Sequence, residues 1–476
     1  MSSARAVSAA IILAAGEGTR MRSSKPKVLH ELAGKTFLNR VMDSVGELNP
    51  DILSLVVRYQ AQRVAQAARS YNKQVTIVEQ DEIPGTGRAV QCALSALSDR
   101  IDSDGTVLIV ASDMPLLDTQ TLQGLVDFHK TQADGATVLT TRLSDPNGYG
   151  RIIRDQDGQV LRIVEQKDAT GTELKVNEVN TSVYVFDVQV LIQAISGLNN
   201  KNVQGEFYLT DALEAARSLG RVGAYAAPDP LSVEGVNDRV QLAHLAQAHN
   251  MRICEYWMRE GVTIVDPTTT WIEDDVTISQ DAVILPGCFL QGHTTIAEEA
   301  VVGPYTTLID ARIGQGAEVE RSRVQDSSIG ACANIGPWTY LRAGNELADN
   351  TKAGAFVEMK KAQIDEGSKI PHLSYVGDAH IGKHSNVGGG TITANYDGVH
   401  KNRTEIGSDV HVGAGNLFVA PVSVGDGVTT GAGSVIRHQV PDGAMVYSEN
   451  TQHTIEHWQP SWERQAEDSS DQSSQE

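Results

Sequence analysis

A loop of small residues followed closely by cations is the first feature of the chain with chemical meaning. Residues 13–21 read Leu-Ala-Ala-Gly-Glu-Gly-Thr-Arg-Met, and Pro26-Lys27 comes shortly after them. Small residues let backbone N–H groups reach phosphate oxygens, and fixed cations offset the phosphate charge. The cations here are Arg20, Arg22, Lys25 and Lys27. The loop therefore predicts an anion site, with a glycine turn beside a solvated basic face as the alternative. It is neither a Walker A loop nor a GxGxxG fingerprint, which disfavours kinase and NAD-binding interpretations.

A carboxylate follows a later apolar run. Asp113 comes directly after Val107–Ser112, and a parallel sheet places its ligand site at the carboxyl ends of its strands. Mg²⁺ is typically held by one or two protein oxygens together with substrate phosphates. Asp113 is therefore a candidate magnesium ligand. The alternative is that it caps the following helix, which is a common role for aspartate.

A second set of reactive side chains lies in the later part of the chain. It consists of Arg342, Glu358, Lys360, Lys361, His372 and Tyr375. A histidine titrates near neutral pH and suits proton removal from an amine, while arginine and lysine suit a phosphate group. A single histidine is more often structural or solvated, and the chain has thirteen. Its place among cations singles out His372.

Two kinds of periodicity separate the elements that must position these groups. Residues 1–235 alternate apolar runs with helical patterns, which predicts an α/β domain with a mostly parallel sheet covered on both faces. Strands are expected at residues 10–14, 52–57, 75–78, 107–111 and 136–140, with helices such as 38–46, 88–97 and 119–130 between them. Residues 236–261 show a helical repeat and are expected to form one linker helix.

From residue 262 to 458 aliphatic residues recur every six positions. Examples are Ile278, Ile284, Leu290, Ile296, Val302 and Leu308, and later Ile406, Val412, Phe418 and Val424. This period predicts a parallel β-helix of hexapeptide repeats, in which the aliphatic side chain points inward. An ordinary β-rich domain is the alternative. The repeat breaks at 342–376 and 393–405, and both breaks are expected to leave the solenoid as loops.

Composition excludes several classes of protein. The chain has 476 residues and a formal net charge of −21, which disfavours nonspecific nucleic-acid binding. No apolar run is long enough for a membrane span. The four cysteines, Cys92, Cys254, Cys288 and Cys332, form no CxxC pair, so reduced thiols in the cytoplasm are expected. Residues 459–476 are rich in Ser, Gln and acidic residues and are expected to form a disordered acidic tail.

The loop and Asp113 together resemble the sugar-1-phosphate nucleotidyltransferase family. Further matching segments are Gln80 with 84–87, 148–152, 164–169, 179–181 and 234–237. With the hexapeptide repeat behind them, residues 8–455 resemble the bacterial family of bifunctional N-acetylglucosamine-1-phosphate uridylyltransferase/glucosamine-1-phosphate N-acetyltransferases. The resemblance implies a Rossmann-like nucleotidyltransferase domain followed by a left-handed parallel β-helix. It also implies two reactions in UDP-N-acetylglucosamine synthesis: acetyl transfer from acetyl-CoA, then uridylyl transfer from UTP.

The resemblance assigns roles to residues of the first domain. Leu13, Ala14, Ala15 and Gly16 would hold the nucleotide, with Gln80, Gly85 and Thr86 completing its base and ribose pocket. Arg20 and Lys27 would face the phosphates; Gly150, Glu165 and Asn180 would bind N-acetylglucosamine; Asp113 and Asn237 would bind Mg²⁺. This requires Asn237 to return to the strand end that carries Asp113. The family commonly has glycine where Ser112 stands, so a hydroxymethyl group crowds the pocket or adds a hydrogen bond.

The second domain receives a separate set of implied roles. His372 would be the general base; Arg342, Lys360, Tyr375 and Asn386 would bind glucosamine-1-phosphate; Gly389, Asn395, Tyr396, Ala414 and Ala432 would line the acetyl-CoA groove. Glu449 stands where the family often has a basic residue, which weakens the outer contacts to CoA. The resemblance also implies a homotrimer whose acetyltransferase sites lie between subunits. All implied partners are small molecules, with neither nucleic acid nor membrane among them.

Three interpretations compete at this point. The favoured one is the bifunctional enzyme. The second is a monofunctional hexose-1-phosphate nucleotidyltransferase whose β-helix only assembles or regulates it, against which stand the segments 372–375 and 395–396. The third is a non-enzymatic scaffold, against which stand Lys27, Asp113 and Asn237.

Overall fold

The computed structural model describes residues 7–449, 451–459 and 461. By its contacts the chain divides into two compact units, the first reaching Tyr256 and including Ile272–Asp275, the second comprising Trp257–Trp271 and the chain from Val276 onward. The expected disordered tail at 459–476 lies almost entirely outside the described residues.

The first unit is built on a nine-stranded sheet flanked by helices, with a small hairpin of two further strands beside it. Its strands are β1 Ala9–Ala14, β2 Glu31–Leu32, β3 Lys35–Thr36, β4 Ile52–Val57, β5 Thr76–Glu79, β6 Thr106–Ala111, β7 Ala136–Arg142, β8 Arg151–Arg154, β9 Val160–Val164, β10 Glu178–Asp187 and β11 Val222–Ala226. Its helices are α1 Phe37–Gly46, α2 Ala61–Tyr71, α3 Thr86–Leu97, α4 Thr119–Gln132, α5 Val188–Ser196, α6 Leu209–Ala216 and α7 Arg239–Arg259. Every strand and helix expected in residues 1–235 is present.

The main path of the sheet is mostly parallel, as expected, with β10 as its exception, and the attached strands β8 and β9 also pair antiparallel. The path of strands is β11-β7-β10-β6-β1-β4-β5, with β8 and β9 attached to β10. Strand β10 runs antiparallel to β6 and β7. The sheet is covered on both faces, because the inward positions of β1 alternate between two separate apolar clusters: Ala10 and Ile12 belong to one, Ala9 and Ile11 to the other. Two-sided burial explains why these strands are continuously apolar.

Helix α7 corresponds to the expected linker helix. It spans Arg239–Arg259, and Gly261 follows it with a φ of +93°, the left-handed conformation with which helices commonly end. The boundary residue Val236 is fully buried. By contacts, α7 up to Tyr256 groups with the first unit.

The second unit is a parallel β-helix. Its short strands form three sheets of eleven, ten and nine strands, in which neighbouring strands pair in parallel. The first sheet contains Thr263–Ile264, Val283–Ile284, Val301–Val302, Glu318–Val319, Asn334–Ile335, Lys352–Ala355, Lys369–His372, Asn386–Val387, His411–Val412, Thr429–Thr430 and Met445–Val446. The second contains Trp271–Ile272, Phe289–Gln291, Thr307–Ile309, Arg323–Gln325, Tyr340–Leu341, Glu358–Lys360, Tyr375–Gly377, Ile392–Ala394, Leu417–Val419 and Val435–Ile436. The third contains Thr277–Ile278, Thr295–Ile296, Arg312–Ile313, Ser327–Ile329, Asn345–Leu347, Gln363–Ile364, Ala379–Ile381, Thr404–Ile406 and Val422–Val424.

The six-residue period has the predicted structural meaning. One residue of nearly every strand is buried in the interior of the prism, for example Ile284, Leu290 and Ile296 on three successive sides. Because each coil contributes one strand to each sheet, neighbouring coils are joined by parallel ladders and stack on one another.

The expectation that residues 342–376 leave the solenoid as a loop is wrong. The coils continue through this segment, and its inward side chains are buried: Leu347, Ala353, Met359, Ile364, Ile370 and Val376. The pattern was obscured because alanine and methionine replace branched aliphatics at 353 and 359, and because the spacing falls from six residues to five between Met359 and Ile364.

The second expected interruption does leave the solenoid. Residues 395–403 lie between the strands Ile392–Ala394 and Thr404–Ile406. An antiparallel bridge between Tyr396 and Lys401 closes this loop. The adjoining strands keep their register across it, since Asn386 pairs with His411 on the next coil.

Candidate functional sites

A cavity of about 560 Å³ opens at the carboxyl ends of β1 and β6. Ten of the residues predicted for the nucleotide and sugar site line it: Leu13, Ala15, Gly16, Lys27, Gln80, Gly85, Thr86, Asp113, Glu165 and Asn180. Ala14 alternates with these positions and is buried within β1. The cavity therefore gathers residues from widely separated parts of the first unit at the sheet edge where a ligand was expected.

Lys27 links the two predicted metal ligands. Its ammonium donates to Asp113 Oδ2 at 2.7 Å and to Asn237 Oδ1 at 2.8 Å, and Arg20 donates to the same oxygen of Asn237 at 2.9 Å. The N–H of Val236 donates to the carbonyl oxygen of Asp113 at 2.9 Å, which holds the chain before α7 against the end of β6. Asn237 thus returns to Asp113 as its role requires. Asp113 is not a helix cap, because Asp118 caps α4 through the N–H of Thr121.

The loop that leads into α3 is held by its own side chains. Gln80 donates to the carbonyl oxygens of Ile83 at 2.8 Å and Gly85 at 3.1 Å. A Cβ atom at Gly85 would lie 2.3 Å from the carbonyl oxygen of Phe207, so only glycine permits this approach. Thr86 accepts from the N–H of Leu209 at 3.0 Å, which ties the loop to α6.

The opposite wall of the cavity carries a buried carboxylate. Burial raises the pKa of Glu165, and the nearby carboxylates of Asp168 and Asp211 add to this shift, while a hydrogen bond from Thr210 opposes it. Gly150 lies beside it, since a Cβ atom there would be 3.5 Å from Glu165 Oε1, and the Gly150 carbonyl oxygen accepts from the N–H of Asn180 at 2.9 Å. The three residues predicted for the sugar therefore adjoin one another.

Ser112 adds a hydrogen bond. Its hydroxyl donates to the carbonyl oxygen of Leu13 at 2.6 Å, and its N–H donates to the same oxygen at 3.1 Å. The side chain is buried and joins the ends of the neighbouring strands β1 and β6 at the cavity.

Several lining residues were not predicted from the sequence. They are Val28, Arg58, Ala89, Ala111, Ser182, Tyr184, Glu206, Leu209 and Thr210, whereas Glu17, Gly18, Thr19 and Pro84 belong to the predicted segments 13–21 and 84–87. Arg58 had a usable signal, because it comes directly after the apolar strand β4. Glu206, Leu209 and Thr210 had none, because they reach the cavity through the packing of α6.

The two side chains that contact the Lys27 ammonium have the chemistry needed to hold a divalent cation. Asp113 and Asn237 supply a carboxylate and an amide oxygen, the hard donors that Mg²⁺ prefers, and both already accept hydrogen bonds from one cationic group. Among the described residues, no group of three or more His, Cys, Asp or Glu side chains could hold a metal ion. Two protein oxygens suit a cation that completes its coordination with substrate phosphates and water.

In the β-helix, His372 begins a line of small residues. Lys369 pairs with Asn386, Asn386 with His411, and His411 with Thr429. Three positions further along each strand, the same register aligns His372, Gly389, Ala414 and Ala432 on successive coils. A Cβ atom at Gly389 would lie 3.3 Å from the Cβ of His372. The imidazole is exposed, as are Ala414 and Ala432, so His372 stands at the head of a solvent-facing strip of small residues.

The adjacent corner of the β-helix changes character at this point. Up to and including the coil of His372, several left-handed corner positions carry large exposed residues, namely Tyr305, Trp338, Phe356 and Leu373. On the following coils the corner residues are Gly390, Gly415 and Gly433. The rings of Trp338 and Phe356 stack with centroids 5.3 Å apart. Large side chains therefore stand at the corner on the preceding coils, and only glycines stand at the corner on the coils that follow His372.

Arg342 and Lys360, the cations predicted to bind the sugar phosphate, lie along another edge of the β-helix. Leu341 pairs with Met359, which places Arg342 beside Lys360 on the next coil. A hydrogen bond with Lys401, together with repulsion between the two ammonium groups, lowers the pKa of Lys360. Asn395 donates to Asp378 at 2.5 Å and lies near this group. Arg342 pairs with Glu358 at 3.2 Å, and Lys360 lies close to both Lys401 and Asp378. Three cations therefore share this edge with two carboxylates, an excess of positive charge that suits a phosphate group.

Tyr375 connects the two edges. It follows His372 closely in sequence, and its hydroxyl lies against Gly377, the strand partner of Lys360. Asn386 is exposed on the first sheet of the β-helix, next to Lys369. Tyr396 is exposed in the 395–403 loop, and Glu449 is exposed near the end of the described chain. Within one chain, His372 and the cations therefore face the solvent from neighbouring edges.

Fold and sites together define a sugar-phosphate nucleotidyltransferase domain joined to a hexapeptide-repeat β-helix. Residues 10–163 match the MobA-like NTP transferase domain family. The chain is 74% identical over 458 residues to the bifunctional protein GlmU of Bifidobacterium animalis subsp. lactis, covering 96% of this chain and 100% of that protein. It is 72% identical over 459 residues to the GlmU of Bifidobacterium longum subsp. infantis, with the same coverage. The bifunctional GlmU of Paenarthrobacter aurescens is 49% identical over 451 residues, covering 94% of this chain and 91% of that protein. The chain belongs to the GlmU family of bifunctional transferases.

Members of this family generally need a divalent metal ion. In the part of the chain that the structure describes, no helix is both long and apolar enough to cross a membrane.

Proposed function

We propose that the chain catalyses two consecutive transfers: acetyl transfer from acetyl-CoA to glucosamine-1-phosphate, then uridylyl transfer from UTP to the resulting N-acetylglucosamine-1-phosphate. The observation that carries this proposal is the presence of a complete set of reactive groups in each unit. One set is Lys27, Asp113 and Asn237 around the cavity. The other is His372 at the head of a strip of small residues.

In the uridylyl transfer, a phosphate oxygen of the sugar phosphate attacks the α-phosphorus of UTP, and the bond to pyrophosphate breaks. Both reactants are anions, so neutralisation and alignment matter more than proton removal. Lys27 and Arg20 would neutralise the phosphates, and Glu165, Asn180 and Gly150 would hold the sugar. Asp113 and Asn237 would hold Mg²⁺, which when bound neutralises charge on the reacting phosphates.

In the acetyl transfer, the sugar amine attacks the thioester carbonyl carbon, and CoA leaves as a thiol. His372 would take the proton that the amine loses. Arg342 and Lys360 would bind the sugar phosphate with Tyr375 and Asn386. Gly389, Ala414 and Ala432 would leave room for the pantetheine chain, and Asn395 and Tyr396 would border it.

A homotrimer is part of this proposal. His372 and the pair Arg342 and Lys360 lie along different edges of one β-helix, which favours a site completed by a neighbouring subunit. Tyr305, Trp338, Phe356 and Leu373 are each more than half exposed, as expected of side chains that a neighbour covers. A cytoplasmic location is supported by the four cysteines, which are all free.

One assay tests the proposal against its competitors. The full-length protein is incubated with glucosamine-1-phosphate, acetyl-CoA, UTP and Mg²⁺, and the thiol, pyrophosphate and UDP-N-acetylglucosamine are followed. The bifunctional enzyme forms all three. With N-acetylglucosamine-1-phosphate also supplied, pyrophosphate without thiol would indicate a monofunctional nucleotidyltransferase. No product from folded protein would indicate a scaffold.

A further inference from the structure

We propose that the ammonium group of Lys27 occupies the divalent-cation position when no nucleotide is bound, and that the arriving triphosphate draws it away so that the metal can bind. The proposal concerns the regulation of metal entry and rests on the assignment of Asp113 and Asn237 as metal ligands. It makes Lys27 a group that couples metal binding to nucleotide binding.

The contacts of Lys27 carry the argument. Its Nζ lies 2.7 Å from Asp113 Oδ2 and 2.8 Å from Asn237 Oδ1. These are the two oxygens that a metal ion would use, at roughly 2.0–2.1 Å for Mg²⁺. An ammonium and a divalent ion cannot both contact the same two oxygens, because two positive centres would then lie within a few ångströms of each other in a partly dry site. The side chains of Lys27 and Asp113 are only 12% and 30% exposed, so water screens such repulsion poorly.

The surroundings show where the ammonium can go. A Cβ atom at Gly18 would lie 2.6 Å from the Cβ of Lys27, so the stem of the lysine packs directly against the glycine-rich loop. That loop also lines the cavity through Gly16, Glu17 and Thr19. A triphosphate held by the loop therefore lies within reach of the flexible lysine side chain. The ammonium can exchange its contact with Asp113 for one with a phosphate.

Arg20 supports the same conclusion. It donates to Asn237 Oδ1 at 2.9 Å, so this amide oxygen accepts from two cationic groups. Both cations belong to the segment predicted to face the phosphates. Without nucleotide they neutralise the metal ligands, and with nucleotide they neutralise the phosphates. Nucleotide and metal then favour each other's binding, and the coupling must be reciprocal.

The proposal predicts that removing the ammonium improves metal binding to the nucleotide-free protein. The full-length chain is titrated with Mn²⁺ alone, and unbound Mn²⁺ is measured by electron paramagnetic resonance. Lys27→Met keeps the length of the side chain and removes its charge, so the dissociation constant should fall about tenfold, the size of a free-energy change of about 1.4 kcal/mol. Lys27→Arg keeps the charge and should bind Mn²⁺ as weakly as the wild type. Added UTP should raise Mn²⁺ affinity by a larger factor in the wild type than in Lys27→Met.

Two further variants separate the possible failures. Lys25→Met removes the same charge from the same segment, but Lys25 pairs with Glu31 at 2.7 Å and not with the metal ligands, so it should leave Mn²⁺ affinity unchanged. Equal tightening in Lys25→Met, or none in a folded Lys27→Met, would overturn the displacement proposal alone. Asp113→Ala should abolish Mn²⁺ binding in either background. If it did not, the metal site in the proposed function would itself be wrong. Thermal unfolding checks that each variant folds.

Discussion

Glu165 illustrates how a single residue at the site acts against the stability of the fold. Burial raises its pKa, and Asp168 and Asp211 add to the shift. A carboxyl group whose pKa is higher in the folded than in the unfolded state reduces stability as pH rises through the folded value. The cavity therefore holds a carboxylate that is destabilised unless a ligand donates hydrogen bonds to it.

Glu165→Gln should therefore be more stable than the wild type at pH 8, and the difference should shrink as the pH approaches 4.5. The same change should raise the KM for N-acetylglucosamine-1-phosphate by about tenfold or more, because a hydrogen bond to a charged group is worth roughly 1.5–3 kcal/mol. Thermal unfolding at several pH values and steady-state kinetics measure the two effects.

Glu173→Gln is the control of opposite sign. Hydrogen bonds from Thr170 lower the pKa of Glu173, so its contribution to stability is present at pH 8 and is lost as the pH falls. Glu173→Gln should be less stable than the wild type at pH 8. A Glu165→Gln protein that is also less stable there would contradict our account of the cavity.

The residues that the sequence predicted are those whose role is tied to local chain geometry. Asp113 directly follows an apolar strand, where topology brings side chains to the sheet edge. The particular roles of Lys27 and Asn237 came from the resemblance to a known family. Glu206 and Thr210 could not be predicted in this way, because they depend on how α6 packs against the sheet. The bond from Ser112 to Leu13 shows the same limit, since its direction depends on side-chain rotation.

At the scale of elements, the glycine-rich loop depends on one backbone conformation. Gly18 has a φ of +62°, and a Cβ atom there would lie 2.6 Å from the Cβ of Lys27. Gly18→Ala should cost about 1–2 kcal/mol of stability, because a left-handed alanine is strained and the lysine must shift. We expect uridylyl transfer to fall at least about tenfold by the same displacement. Denaturant unfolding and pyrophosphate release measure these effects.

Gly46→Ala is the matched change for this test. Gly46 ends α1, and a Cβ atom there would meet nothing within 4 Å. Its stability and uridylyl transfer should equal or exceed those of the wild type, since alanine suits a helix better than glycine. Equal losses in both variants would show that the conformation of the loop is not the cause.

The coils of the β-helix form an element of a different kind, in which each is held by its neighbours. Phe418 is fully buried inside the prism, on the coil that also carries Ala414. Phe418→Ala should cost about 3–5 kcal/mol and should abolish acetyl transfer by disordering that coil. Uridylyl transfer should survive, because the first unit has its own cores. Differential scanning calorimetry and the two product assays measure this outcome.

Phe289→Ala is the comparison for the core substitution. Phe289 lies in the same sheet and is 46% exposed, so its loss should cost less than about 1 kcal/mol. Loss of both activities in Phe418→Ala would contradict the independence of the two units.

The β-helix could be predicted from the sequence because its inward-facing aliphatic residues recur every six positions. The prediction failed where this pattern varied. Residues 342–376 were misread because Ala353 and Met359 fill inward positions that usually carry branched aliphatics. A coil tolerates such residues when its neighbours fill the space. The interruption predicted at 393–405 corresponds to the loop at 395–403, because the six-residue spacing of inward aliphatics is lost there.

At the scale of the whole molecule, the two units carry different chemistry and share one chain. In the proposed function the first uses a divalent cation held by oxygen ligands, and the second uses an imidazole at a strip of small residues. The residues proposed for uridylyl transfer all lie in the first unit, and those proposed for acetyl transfer all lie in the second. The division into two units was visible in the sequence as a change from alternating strand and helix patterns to a six-residue repeat. The alignment of His372 with Ala432 could be recognised only from the pairing register of the coils.

Mixing two single variants tests the central claim most directly. Asp113→Ala should release thiol from acetyl-CoA and form no UDP-N-acetylglucosamine. His372→Ala should release no thiol and should form UDP-N-acetylglucosamine only when N-acetylglucosamine-1-phosphate is supplied. Our account predicts that, given glucosamine-1-phosphate, acetyl-CoA, UTP and Mg²⁺, a mixture of the two folded proteins forms UDP-N-acetylglucosamine although neither does so alone. A mixture that forms none, or a single variant that has lost both activities while folded, would contradict it.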